Sequence, residues 1–153
     1  LKMSGPFGRL ILKEEPVERY FLVATGTGVA TYRAMLPELG KLLAATPELA
    51  VTILLGVRTQ ADLLYAADFV AFAEQQHNAN FIACCSRETA TNLPEYVHNC
   101  RVTAILKDTA LNPASDIVYL CGNPDMVDES YTICSEQGFN FKNVRREKYV
   151  FSK

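Results

Sequence analysis

Two closely spaced glycines occupy a position where backbone amides can bind phosphate. Gly26 and Gly28 follow a continuous apolar run over residues 20–24 and precede a helical stretch. In such a turn the N–H groups lie at the positive end of the helix and can approach a pyrophosphate closely. Thr31 stands where the usual dinucleotide fingerprint has a third glycine, and an ordinary strand–helix turn has the same pattern. The glycine pair alone therefore indicates phosphate binding without establishing it.

Polar residues follow two later apolar runs. Arg58 comes directly after the run over residues 51–57, and Ser86 and Arg87 come directly after the run over residues 81–85. A guanidinium fork beside a hydroxyl suits a doubly charged phosphate. No acidic residue closes the second run, where the fingerprint would place a ribose ligand. We predict that Arg58 contacts the pyrophosphate or an adenosine phosphate. For Arg87 the alternative is a solvated loop arginine.

The cysteines do not indicate a metal site or a disulfide framework. Their number is odd, and none forms a C-x-x-C pair; they are Cys84, Cys85, Cys100, Cys121 and Cys134. We interpret them as free thiols in a reducing compartment, and predict a cytoplasmic protein. Only His77 and His98 are available besides, so we expect no metal centre and no Ser-His-Asp triad.

The elements that position these residues alternate along the chain. Buried strands are predicted over residues 20–24, 51–57, 81–85, 117–121 and 144–151, and helices over residues 30–45, 61–76 and 124–137. We expect Pro37 to kink the first helix or to restart it. The inner face of the second helix is predicted to include Leu64, Phe69 and Phe72.

Strands that alternate with helices predict an α/β fold, with a doubly wound, five-stranded parallel sheet and helices on both faces. The carboxyl ends of parallel strands share one edge, where such folds bind ligands. That edge collects residues 26–28, Arg58, residues 86–87 and residues 121–124, so Gly122, Asn123 and Pro124 join the candidate site. The fold predicts a nucleotide cleft there.

Composition excludes several classes of protein. The chain has 153 residues, 49% of them hydrophobic and 21% charged, which is typical of a single folded domain. A net charge of -2 and a pI of about 5.7 give no electrostatic basis for nucleic-acid binding. No apolar run approaches the ~20 residues of a membrane helix, and no signal peptide opens the chain, so we expect no membrane insertion.

Five short motifs resemble those of the ferredoxin–NADP reductase family. Residues 24–30 are similar to its A-T-G-T-G-hydrophobic-A motif, and residues 121–126 to its C-G-x-P-x-M motif. Residues 86–88 match its S-R-E element, residues 5–8 its G-P-x-G, and residues 147–149 its terminal E-x-aromatic. The motifs follow the family's order and cover nearly all of the chain.

The resemblance implies roles for individual residues. The turn formed by Thr25, Gly26, Thr27 and Gly28 would hold the nicotinamide end and the pyrophosphate of NADP. Cys121 would lie beside the nicotinamide and help to position it for hydride transfer. Ser86 and Arg87 would bind the 2′-phosphate. We expect Tyr96 to stack on adenine or to be an ordinary core or surface tyrosine, and Arg101 begins an R-V-T stretch that bacterial relatives have near this site.

The C-terminal motif implies contacts with a flavin. Tyr149 matches the aromatic residue that covers the flavin ring, and Glu147 matches a carboxylate near that ring. Phe151 is the alternative cover, because some bacterial members also extend beyond the motif. Two departures from the family are Thr31, which replaces a common proline, and Cys100, which replaces a frequent glycine.

The resemblance also implies that a flavin-binding domain is missing. Residues 1–15 would be the remnant of its last strand plus a linker, and residues 16–153 the NAD(P)-binding domain. The implied reaction passes a hydride from NADPH to FAD, and then electrons to ferredoxin or flavodoxin. We expect the chain alone to be inactive, because the missing domain holds most of the FAD site.

Two other functions remain open at this point. One is the NADH-dependent reductase component of an oxygenase system, and the other is a non-catalytic nucleotide-binding module. Cys121 and the E-x-aromatic motif argue against the module, because they imply hydride transfer. A basic C-terminal segment would either dock an acidic carrier or be a solvated tail; its cations are Lys142, Arg145, Arg146, Lys148 and Lys153.

Overall fold

The computed structural model describes residues 17–149. The predicted remnant over residues 1–15, with its G-P-x-G turn, lies outside the described residues, as do Phe151 and Lys153. Within the described range, no helix is both long enough and apolar enough to cross a membrane.

A parallel sheet forms the centre of the molecule. Its strands are β1 Arg19–Thr25, β2 Ala50–Val57, β3 Ala79–Cys85, β4 Val97–His98, β5 Asp116–Gly122 and β6 Val144–Lys148. They lie in the order β4-β3-β2-β1-β5-β6, and every pairing is parallel. The chain reverses its direction of strand addition between β1 and β5, so this is the switch point at which open α/β sheets bind ligands.

Helices cover both faces of the sheet. They are α1 Val29–Ala45, α2 Ala66–Gln75, α3 Val102–Asp108 and α4 Pro124–Glu136. One core cluster joins α1 and α2 to the sheet through Tyr32, Met35 and Phe69. The other cluster joins α3 and α4 to the opposite face through Leu106 and Val127. The predicted doubly wound class is confirmed.

The predicted number of strands was wrong. Within residues 17–149 the sheet has six strands, because the two-residue β4 adds to its edge, where the Ala83 amide donates to the Tyr96 carbonyl at 2.8 Å. A strand of two residues has no periodicity that a sequence pattern can detect. Helix α3 was not predicted either, because its seven residues are fewer than a helical pattern needs to be recognised.

Two predicted helices also differ from those observed. Pro37 lies inside α1, which is one continuous helix over Val29–Ala45, so the helix does not restart at the proline. The segment predicted as a helix over residues 61–76 begins instead as a short turn over Gln60–Asp62, and α2 starts only at Ala66. Tyr65 separates the two with a φ of 59°. Leu64 therefore precedes the helix and is 40% exposed, whereas Phe69 and Phe72 are buried as predicted.

Candidate functional site

A groove of ≈ 860 Å³ lies along the carboxyl edge of the sheet. Its volume is within the range of small-molecule and cofactor sites. It is lined by residues that follow β1, β2, β3 and β5, and by residues at the start of α3 and along α4. The predicted site residues that line it are Thr25, Gly26, Thr27, Arg58, Ser86, Arg87, Gly122, Asn123, Pro124 and Tyr149. The structure thus brings together most of the residues singled out from four separate junctions.

The turn after β1 leaves open space above its backbone. Gly26 has a φ of +54°, and a Cβ atom built on it would meet nothing within 4 Å. Gly28 is buried instead, and a Cβ atom there would lie 2.6 Å from the Cys121 carbonyl oxygen. The first glycine therefore exposes backbone to the groove, while the second allows the turn to pack against the end of β5.

The end of β5 packs equally closely against Thr25. Gly122 has a φ of +129°, and a Cβ atom there would lie 2.6 Å from the Thr25 carbonyl oxygen. The Asn123 amide donates to Thr25 Oγ1 at 3.0 Å. Asn123 Oδ1 accepts bonds from Asp125 and Met126 amides, at 2.9 and 3.3 Å, so it caps α4. These bonds set the geometry of the groove at the switch point.

Three arginines line one end of the groove. Arg58, Arg87 and Arg101 are exposed, and none of them forms an ion pair with a carboxylate of residues 17–149. Two backbone hydrogen bonds join the loops of Arg58 and Arg87. The Arg87 amide donates to the Arg58 carbonyl at 2.8 Å, and the Ser86 amide donates to the Val57 carbonyl at 3.1 Å. Unpaired guanidinium groups that share a groove favour an anionic ligand.

Glu88 joins the loops that carry these arginines. Its Oε2 accepts a bond from the Gln60 amide at 2.9 Å, and its Oε1 accepts bonds from the Thr89 and Ala90 amides, both at 3.0 Å. These amides, that of Gln60 above all, lower the pKa of the carboxyl group. Glu88 is not among the residues predicted from the sequence to form the site, although its place in the S-R-E element was a signal.

Cys121 belongs to a small network of polar contacts with Thr31 and Tyr149, and Tyr149 lines the other end of the groove. Cys121 is 2% exposed and does not line the groove itself. Its Sγ lies 4.0 Å from Thr31 Oγ1, which lies in turn 2.9 Å from the Tyr149 hydroxyl oxygen. Burial raises the pKa of the Cys121 thiol, so the neutral form is favoured; the same cause raises the pKa of Tyr149. Thr31 was noted in the sequence only as a departure from the family.

Besides Gly28 and Cys121, two predicted site residues do not line the groove. Tyr96 packs against Phe81, with ring centroids 5.7 Å apart, and does not line the groove. Glu147 pairs with Cys121 in the register of β6 and β5, but it is exposed and also does not line the groove. Tyr96 is half-buried and packs against the core cluster that includes Phe81.

Comparison with known proteins identifies this arrangement. Residues 22–131 match the family model described as the oxidoreductase NAD-binding domain, and these residues include the glycine turn, the arginines and the C-G-x-P-x-M motif. The chain belongs to the oxidoreductase NAD-binding domain family. The resemblance to ferredoxin–NADP reductases is confirmed with it, because a reductase of that kind is among the relatives.

Three similar proteins show how far the relationship extends. The chain is 27% identical to the reductase component of propane 2-monooxygenase from Gordonia sp. (strain TY-5), across 98% of this chain and 43% of that protein. It is 30% identical to a ferredoxin–NADP reductase from Picosynechococcus sp. (strain ATCC 27264 / PCC 7002 / PR-6), across 95% of this chain and 39% of that protein. The Amycolatopsis cytochrome P450 reductase GcoB superposes with a TM-score of 0.71 at 26% identity, across 88% of this chain and 38% of that structure. This NAD-binding domain spans less than half the length of these relatives.

Proposed function

We propose that this NAD-binding domain binds NADP(H) and serves a flavin-dependent reductase. In that enzyme a hydride passes from NADPH to FAD, and electrons continue to a ferredoxin or flavodoxin. The observation that carries the proposal is the groove itself. It has the exposed backbone of Gly26 near its middle, and at one end three arginines that form no ion pair within residues 17–149. Both features suit a ligand that carries several phosphates.

The order of the strands gives the ligand a direction. Arg87 follows β3, Arg58 follows β2, Gly26 follows β1 and Gly122 ends β5, and these four strands are neighbours in this order. Three strand spacings separate β3 from β5, which is about 14 Å. An extended dinucleotide would therefore place its adenosine phosphate at the arginines, its pyrophosphate at Gly26, and its nicotinamide near Tyr149.

The residues at the nicotinamide end would position the ring and exclude water. When bound, the nicotinamide and the flavin supply the hydride chemistry, as cofactors do in such enzymes. Cys121 offers a small, polarizable, neutral group. Tyr149 lines the groove and contacts Thr31, which in turn contacts that thiol, so the Tyr149 ring would be the surface on which a planar ring stacks.

The complete enzyme requires a second domain in this proposal. The relatives are more than twice as long as this chain, and the matched part is the nucleotide-binding part. We propose that residues 1–15 connect this domain to a flavin-binding domain of the same protein. The chain alone is then expected to bind NADP⁺ without catalysing electron transfer.

Calorimetric titration of the chain with NADP⁺ and with NAD⁺ at low ionic strength tests the proposal. We expect NADP⁺ to bind at least tenfold more tightly, which corresponds to about 1.4 kcal/mol. The preference should be lost in Arg87→Ala and kept in Arg33→Ala, because Arg33 pairs with Asp68 outside the groove. Equal affinities, or tighter binding of NAD⁺, would overturn the NADP assignment and favour an NADH-dependent oxygenase reductase.

A further inference from the structure

Glu88 links the two loops that carry Arg58 and Arg87. Gln60 belongs to the turn that follows Arg58, and Thr89 and Ala90 belong to the loop that follows Arg87. The carboxylate accepts bonds from all three amides, with one oxygen for each loop. The Glu88 carbonyl oxygen also accepts a bond from Asn99 Nδ2 at 2.9 Å, which ties the same loop to the segment after β4.

We propose that Glu88 is a positioning residue that sets the separation of Arg58 and Arg87, and thereby the affinity for the 2′-phosphate of the nucleotide. The inference rests on the proposed function, which it deepens. Glu88 does not line the groove, so it acts through the two arginines and not by contact with the ligand.

A carboxylate near a phosphate site needs a physical explanation, because two anions repel each other. Here both oxygens of Glu88 are occupied by backbone N–H groups that point toward the carboxylate. These dipoles offset its charge locally. The side chain can therefore order the two loops without opposing the anion that the arginines would bind.

Ordering the two loops before the ligand binds would increase the affinity by lowering the entropic cost of binding. Arg58 and Arg87 are exposed side chains on loops, and ordering them at binding would lower the affinity. Apart from Glu88, the Arg87–Arg58 and Ser86–Val57 backbone bonds hold the loops together. Those bonds fix the loop residues next to the ends of β2 and β3. Glu88 instead fixes the turn over Gln60–Asp62, which follows Arg58. Without Glu88 that turn loses its bond to the second loop.

Replacement by glutamine is the sharpest test, because it changes the chemistry with almost no change in shape. Glutamine presents an NH₂ donor in place of one acceptor oxygen, and in either orientation that donor faces a backbone N–H. One of the two loops must then release the side chain. Glu38→Gln is a matched control, since Glu38 pairs with Lys41 on α1 and does not line the groove.

The experiment titrates the chain with 2′-phospho-AMP and, separately, with nicotinamide mononucleotide, by NMR. We expect Glu88→Gln to weaken the binding of 2′-phospho-AMP about tenfold, while the affinity for nicotinamide mononucleotide and that of Glu38→Gln for both ligands stay unchanged. Equal loss of affinity for both ligands would mean a purely structural role and would overturn the inference. Unchanged binding of 2′-phospho-AMP would overturn it as well.

The outcomes separate this inference from the proposed function. If the wild-type chain fails to bind 2′-phospho-AMP, the proposed function fails first. If the wild type binds and Glu88→Gln binds equally well, only the inference about Glu88 fails. Should Glu88→Gln not fold, Glu88→Asp replaces it: the shorter carboxylate keeps its charge but cannot reach both loops, and we expect the same selective loss.

Discussion

The hydroxyl oxygens of Thr31 and Tyr149 lie 2.9 Å apart, although 118 residues separate them in the chain. Thr31 is in the first turn of α1, and Tyr149 follows the edge strand β6, with its amide bonded to the Gly122 carbonyl at 2.8 Å. The bond therefore connects the start of α1 with the end of β6, and Cys121 lies between these two elements. It holds the Tyr149 ring at the end of the groove where we place the nicotinamide.

Thr31→Val should weaken the packing of Tyr149 without creating a cavity, because valine has nearly the same shape as threonine. We expect a loss of about 1 kcal/mol in the free energy of unfolding, which is typical for a hydrogen bond of this kind. Tyr149→Phe removes the same bond from the other side. Urea unfolding of both variants and of the double variant measures the coupling, which should be about 1 kcal/mol. Strictly additive effects would mean that the two hydroxyls do not interact.

The two glycines of the turn should respond differently to alanine. Gly28→Ala places a Cβ atom 2.6 Å from a backbone oxygen that cannot move freely, and we expect a loss of about 3 kcal/mol in the free energy of unfolding. Gly26→Ala meets no atom within 4 Å, and its cost is limited to the left-handed backbone, about 1 kcal/mol. Denaturant unfolding compares them. A larger loss for Gly26→Ala would contradict the observed packing.

Cys100 should be the first of the five cysteines to react with a thiol reagent. It is half-buried, whereas the other four are buried. Burial also raises the pKa of the Cys134 thiol to about 11 and raises that of Cys121. Because Cys100 lines the groove, NADP⁺ should slow its alkylation. Peptide mapping after brief exposure to N-ethylmaleimide identifies the residue, and Cys100→Ser should remove the fast phase; a fast phase at Cys121 would contradict the structure.

The contribution of Glu88 to stability should depend on pH. Backbone amides, chiefly that of Gln60, hold the pKa of this carboxyl group below its ordinary value of 4.5. A lowered pKa means that the folded state binds the proton less readily than the unfolded state. The stabilisation is therefore fully present above pH 4.5 and is lost as the pH falls through the folded-state pKa. The difference in unfolding free energy between the wild type and Glu88→Gln, measured from pH 7 downward, should shrink over this range. A constant difference would show that the charge of Glu88 is not involved.

The main elements of this domain could be predicted from its sequence. Apolar runs such as residues 20–24 mark strands that are buried on both faces, and β1 indeed lies in the middle of the sheet. Once parallel strands are inferred, their carboxyl ends must share an edge, so Gly26, Arg58 and Arg87 had to converge. That convergence follows from local patterns and one rule of topology.

The details that complete the groove depend on the tertiary structure. The bond between Glu88 and the Gln60 amide joins residues 28 apart, and that between Thr31 and Tyr149 joins residues 118 apart. Neither leaves a periodic signal, because each depends on the register and twist that bring two strand ends together. Tyr96 shows the same limit, since only the packing of β3 beside β4 decides that its ring contacts Phe81. Residue types and their order determined which groups reach the edge of the sheet, and three-dimensional packing decided which of them touch.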